Sequence, residues 1–134
     1  MFNIILADDI GKLLLRLTLG ALMLFHGVHK MLHPALLDSV GSRLTAFGIP
    51  MEFAFAVYLG EVLGPLLIIV GLFSRIGGLL IAINMAFAIL LVQLPHVLQL
   101  APTGGWRIEL EAIYLMSGLA VLFSGSGKFA VRPD

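Results

Sequence analysis

The chain has 134 residues, 60% hydrophobic and only 12% charged, with a formal net charge of zero and no cysteine. A soluble globular domain is about half apolar and about a quarter charged, so the charge deficit excludes that class and points to a protein whose solvent is a lipid bilayer. Zero net charge argues against a nucleic-acid partner, which needs a clustered basic surface, and without cysteine the chain carries no disulfide, thiolate nucleophile or sulfur-ligated metal.

In chain order, Asp8 and Asp9 precede Lys12, and the first apolar run leads into His26-Gly27-Val28-His29-Lys30. That ending lacks the small-x-small pattern of a cleaved signal peptide, so the first helix is expected to stay. Four segments approach the roughly 20 apolar residues that a spanning helix needs: residues 10–32, 53–73, 76–98 and 108–124. The fourth is the shortest and carries Glu109 and Glu111 at its start. Only Ser74-Arg75 separates the second and third, which predicts a tight antiparallel hairpin, whereas Pro102 and Gly104-Gly105 mark a loop before the fourth. Between the first two spans, Pro34 can open a helix, and Leu36, Leu37, Val40, Leu44 and Phe47 recur at helical spacing. This predicts a short amphipathic helix lying on the membrane surface, with a loop packed on the bundle as the alternative. The expected fold class is therefore all-α: one domain over residues 1–134, a four-transmembrane-helix bundle with a short interfacial helix between the first two spans.

Four spans put both termini on one side. Lys12, Arg16, Arg75, Lys128 and Arg132 lie toward that side, and Lys30, Arg43 and Arg107 toward the other. The positive-inside rule then favours cytoplasmic termini.

Ionisable groups inside a membrane are expensive and are functional candidates by default. Glu61 falls near the middle of the second segment, roughly 13 Å from its outer end, and His26 roughly 8 Å below the outer end of the first. The two can meet across a helix pair and exchange protons, with neutral, hydrogen-bonded inter-helix glue as the plain reading of Glu61. Pro65 has no N–H for the carbonyl of Glu61, so the helix should kink there and leave a backbone acceptor free. An outward-opening cavity bounded by His26, Glu61 and the start of the fourth segment is expected. His26, His29 and His33 form one stripe. With Glu61 or Glu109 the stripe can make a nitrogen–oxygen metal site, although wet interfacial histidines are the plainer reading. Lys30 either pairs with an acid or snorkels, and Arg16 either snorkels or finds a buried acceptor. His96 falls in the same outer half as the other histidines. Asn84 and Gln93 read as inter-helix glue.

Taken together, Arg16-Leu17 with Gly20, Phe25-His26-Gly27 with Lys30, Phe47-Gly48-Ile49-Pro50, Glu61-x-x-Gly64 and Gly71-Leu72-Phe73-Ser74-Arg75 form an ordered set of motifs. Gly104-Gly105-Trp106, Glu109-Leu110-Glu111 with Tyr114, and Gly125-Ser126-Gly127-Lys128-Phe129 continue it. In this order and spacing the chain resembles the DoxX family of small four-helix membrane proteins over nearly its whole length. Pro65 and Ser126 depart from the family's usual residues. The resemblance implies a bacterial inner (plasma) membrane protein associated with a thiosulfate:quinone oxidoreductase or other redox partners. It leads us to expect a membrane subunit that binds a quinone or similar ligand and serves a redox partner. His26 and Glu61 would be the reacting groups, with Arg16, His29, Lys30, His96, Glu109 and Glu111 as further ligand contacts. A small-solute or proton carrier and a non-catalytic scaffold are the rival readings, and the apolar helix exteriors permit a homo-oligomer.

Overall fold

The computed structural model describes residues 3–134. Helix α1 spans Ile4–Leu32 and begins six residues before the predicted span. Two local devices carry it outward: the Asn3 side chain accepts the Leu6 N–H at 3.1 Å, and Lys12 pairs with Asp8 one turn earlier at 2.8 Å. Helix α2, Pro34–Ala46, has its proline in the first turn, as expected. The chain then forms one rod from a 3₁₀ stretch at Met51–Ala56, a π turn at Leu59–Leu63 and helix α3 at Gly64–Val70. Helix α4, Ser74–Ala88, continues through a second π turn, Ile89–Gln93, and a 3₁₀ turn, Leu94–His96. Helix α5 is Glu109–Ser124.

Three of these rods, Ile4–Leu32, Met51–Val70 and Ser74–His96, are long and apolar enough to cross a membrane. Helix α5 has 16 residues, about 24 Å of rise against a hydrocarbon core of about 30 Å. Among the described residues there is no strand, only isolated bridges such as Leu72 to Arg132.

The two π turns have a common origin. Each ends two residues before a proline, Pro65 or Pro95. Proline cannot donate to the carbonyl four residues back, and a widened turn reroutes the ladder, as where the Gly64 N–H bonds the Leu59 carbonyl five residues back. Where a kink is expected at Pro65, the structure has this widened turn. The hairpin turn, expected at Ser74-Arg75, lies at residues 71–73 instead, where Gly71 (φ 81°) and Phe73 (φ 50°) reverse the chain through the left-handed region. Ser74 and Arg75 already belong to α4.

One core joins the helices: Leu19 and Met23 of α1, Ile68 of α3, Ile81 and Met85 of α4, and Tyr114 and Val121 of α5, none more than 7% exposed. Leu37 and Leu44 of α2 bury against Ala54 in a smaller cluster. At the opposite end Arg16, 1% exposed, donates to the carbonyls of Ile68 (2.8 Å), Ser126 (2.9 Å), Phe129 (2.7 Å) and Ile69 (3.4 Å). It thereby ties the end of α3 to the tail after α5. The tail runs back along the hairpin turn, where the Arg132 N–H bonds the Gly71 carbonyl at 3.0 Å, and Asp9 accepts the Lys128 N–H at 3.1 Å.

Helices α4 and α5 touch through glycine. A Cβ at Gly118 would lie 2.7 Å from the Gly78 carbonyl oxygen, so backbone rather than a flexible side chain blocks it. Gly118→Ala should therefore cost about 2 kcal/mol or more. Gly11→Ala, on an open face of α1, should be neutral or stabilising by up to about 1 kcal/mol. Unfolding midpoints of the two variants in detergent check this.

Candidate functional site

Glu61 occupies the middle of the first π turn and is 3% exposed. Removing a carboxylate from water costs several kcal/mol unless it is neutralised or paired, and two side chains meet that cost. Lys30, near the end of α1, places its Nζ 2.5 Å from Oε1. The Asn84 amide of α4 donates to Oε2 at 3.1 Å. Lys30 thus pairs with an acid, one of its two expected fates, while its own side chain stays 24% exposed. The result is a polar chain, Lys30–Glu61–Asn84, leading from the rim of the bundle into its interior.

Two glycines let this chain form. A Cβ at Gly27 would stand 2.1 Å from the Glu61 carbonyl oxygen, and one at Gly60 would stand 2.2 Å from the Asn84 Cβ. Helices α1 and α4 therefore close on the π turn from both sides, with backbone against backbone at Gly27.

Beyond Asn84 lies a partly enclosed cavity of about 250 Å³. Val40 and Leu44 of α2, Ile49, Phe53, Leu59 and Gly60 wall it on one side, and Leu80, Ile83, Phe87 and Leu91 on the other. Asn84 is the polar residue of its lining. The cavity differs from the one expected. It lies on the Asn84 side of Glu61, under α2, and neither His26 nor α5 bounds it. The start of α5 borders a separate shallow groove with Trp106, Glu109 and Ile113.

The remaining candidates are dispersed. His26 is exposed and packs edge-on to Tyr114, with ring centroids 5.7 Å apart. His29 and His33 stack on each other at 4.2 Å, and the His33 Nδ1 lies 2.9 Å from the His29 carbonyl. His96, at the end of the Ser74–His96 rod, pairs at 3.0 Å with Gln99 of the following loop, and Gln99 also accepts from Arg107. Glu111 accepts from Gln93 at 3.2 Å, and Glu109 stands beside Gly105. Arg16 lies in the clamp on the tail, its donors directed at backbone carbonyls. Among the described residues no three His, Asp or Glu side chains gather as a metal would require, so the stripe His26, His29, His33 does not close with Glu61 or Glu109.

A family model for DoxX matches residues 11–94, more than half of the chain and the part that holds Lys30, Glu61 and Asn84. The chain belongs to the DoxX family. Family membership together with three spanning-length apolar rods makes it a multi-pass membrane protein. A relative from Bacillus subtilis (strain 168), named "Putative oxidoreductase CatD", is 29% identical over 125 residues, covering 93% of this chain and 87% of the relative. No solved structure matches this DoxX chain.

Asn84, which reads from sequence as inter-helix glue, is set by the structure against the buried Glu61 carboxylate. A usable signal existed. Glu61 and Asn84 are equidistant from the middle of the Leu72–Phe73 turn, so an antiparallel hairpin centred there sets them opposite each other. Centring the turn on Ser74-Arg75 hides the match. The short His26 side chain packs on Tyr114, whereas the long Lys30 side chain reaches back to Glu61.

The two ends of the ion pair differ in burial, and that asymmetry is measurable. Lys30→Met leaves a carboxylate buried without its cation and should cost about 3 kcal/mol. Glu61→Gln leaves a lysine that can turn to the rim and should cost about 1 kcal/mol. The double variant should recover most of the Lys30→Met loss. Thermal unfolding of the three proteins in one detergent measures each cost.

Proposed function

We propose that this DoxX protein is a membrane subunit that binds a quinone, or a similar small ring compound bearing oxygens, in the cavity beside Asn84 and serves a redox partner. The supporting observation is the junction of an apolar cavity with a buried polar chain. The cavity's 250 Å³ lies just under the ~300 Å³ at which drug-sized sites begin, which suits a single substituted ring. Asn84 makes one hydrogen bond to Glu61 and has further amide and carbonyl capacity to offer a ring oxygen. Behind it, the Lys30–Glu61 pair holds the Asn84 amide in place, with one N–H fixed on Glu61, so that the rest of the amide can meet the ring oxygen. The Bacillus subtilis relative, named "Putative oxidoreductase CatD", favours redox work of this kind, and with no cysteine in the chain any sulfur chemistry would belong to the partner.

The same reading takes α5 as a fourth span, its 16 residues shortened by the polar ends at Glu109 and Ser124, and α2 as an interfacial roof. Both termini would then face the cytoplasm of a bacterial inner membrane, with Lys30 and α2 on the outer side. A through-membrane proton carrier fits less well. Between Glu61 and Arg16 the bundle is filled by Leu19, Met23, Ile68 and Ile81, each no more than 3% exposed, and apolar packing of this kind offers no relay.

Titration of a tailless benzoquinone into the purified protein tests the proposal. Ala56 lines the cavity on its exposed side, so Ala56→Phe narrows the opening and should weaken binding about tenfold, while Asn84→Leu should cost about one hydrogen bond, close to tenfold. Equal affinity in wild type and both variants would remove the cavity from the function and favour a scaffold.

A further inference from the structure

The position of the cavity in the bundle bears on which ring compounds it takes. Its walls are closed on three sides. Toward α1 the way is blocked by Gly27 against the Glu61 backbone. Away from Gly60 the inner face of α4 is occupied by α5, through Gly78 and Gly118. Toward the outer end α2 lies across it, with Leu44 only 6% exposed. The fourth side is different. Phe53, Leu59, Ile83 and Phe87, all lining residues, are 60%, 48%, 45% and 49% exposed. They stand on the outward face of the Met51–Val70 and Ser74–His96 rods, both of spanning length. In a bilayer that face meets acyl chains and not water.

On the proposed reading of this cavity as a ring-compound site, we infer that its ligand comes laterally out of the bilayer and carries an apolar tail. The ring sits against Asn84, and the tail leaves between Phe53 and Phe87 into the lipid beneath α2. Two physical points favour such a ligand over a water-soluble one. A space of about 250 Å³ holds one ring with at most a short substituent, so any long chain must exit, and the residues at the open side are apolar. A water-soluble ring would have to pass beneath α2 or along the ion pair, where Leu44 and Glu61 are both buried. The polar chain and the apolar opening thus lie on opposite sides of Asn84. A ring oxygen can face the amide while the tail stays in hydrocarbon, and no charged group is drawn into the membrane interior.

Photocrosslinking in lipid vesicles tests this. Phe87→p-benzoyl-phenylalanine is compared with Phe123→p-benzoyl-phenylalanine, which lies on α5 away from the cavity and is also exposed. Each protein is illuminated with a long-chain ubiquinone in the bilayer, and adducts are weighed by mass spectrometry. The expected result is several-fold more quinone adduct at position 87 than at 123, with the excess abolished by adding Ala56→Phe. Equal adduct at both positions, or an excess that survives Ala56→Phe, would overturn lateral access. If a tailless benzoquinone binds in an Ala56-dependent manner while position 87 captures no long-chain quinone, the tailed ligand is ruled out and the ring site stands. If neither compound binds, the ring site falls with it.

Discussion

A carboxylate held at 3% exposure midway along an apolar helix is the constraint on which the rest of the structure depends. In hydrocarbon, Glu61 needs partners on both oxygens, and those partners must come from different helices. Lys30 supplies a cation from α1 and Asn84 an amide from α4. Neither helix could approach so closely with a side chain at Gly27 or Gly60. The π turn belongs to the same solution. Pro65 forbids the regular ladder at Glu61, and the extra residue in the turn leaves Glu61 between the two partner helices. Proline, glycine, lysine and asparagine here are therefore one arrangement and not four separate features.

The two ends of the bundle handle charge differently. At the tail end, Arg16 is as buried as Glu61 but is answered by four backbone carbonyls from the end of α3 and the segment after α5. Its planar fork suits several acceptors at once, and it leaves little guanidinium capacity for a ligand. At the other end, the ion pair opens toward the rim and its amide neighbour opens onto a cavity. One end is closed by its hydrogen bonds and the other keeps capacity in reserve, which is why the candidate chemistry falls at Lys30, Glu61 and Asn84.

Much of this was legible from sequence, because the bilayer imposes lengths and polarity that composition alone reveals. The all-helical class, three spanning-length apolar rods and a helix opening at Pro34 follow from hydropathy and spacing, and Glu61 and Lys30 stand out as charges where charge is costly. Three matters were hidden. The hairpin turn depends on the positive φ of Gly71 and Phe73, and a positive φ at phenylalanine has no sequence signal, whereas Ser74-Arg75 looks like a turn. Asn84 gains its meaning only from that register. The cavity lies beside Asn84 because α2 folds over the rod starting at Met51, a tertiary fact that helical periodicity does not contain. His26, chemically the most suggestive side chain, is directed by its place on α1 toward Tyr114.

In the proposed function, the Lys30–Glu61–Asn84 chain and its neighbouring cavity together make a ligand site. Native mass spectrometry of the protein, released gently from its own membranes, shows whether that site is occupied. A fraction of the protein should carry one ring compound of quinone mass, displaced when excess synthetic benzoquinone is added. A protein that carries only phospholipid, with no mass change on adding benzoquinone, would contradict it and leave the buried ion pair as a structural element of the bundle.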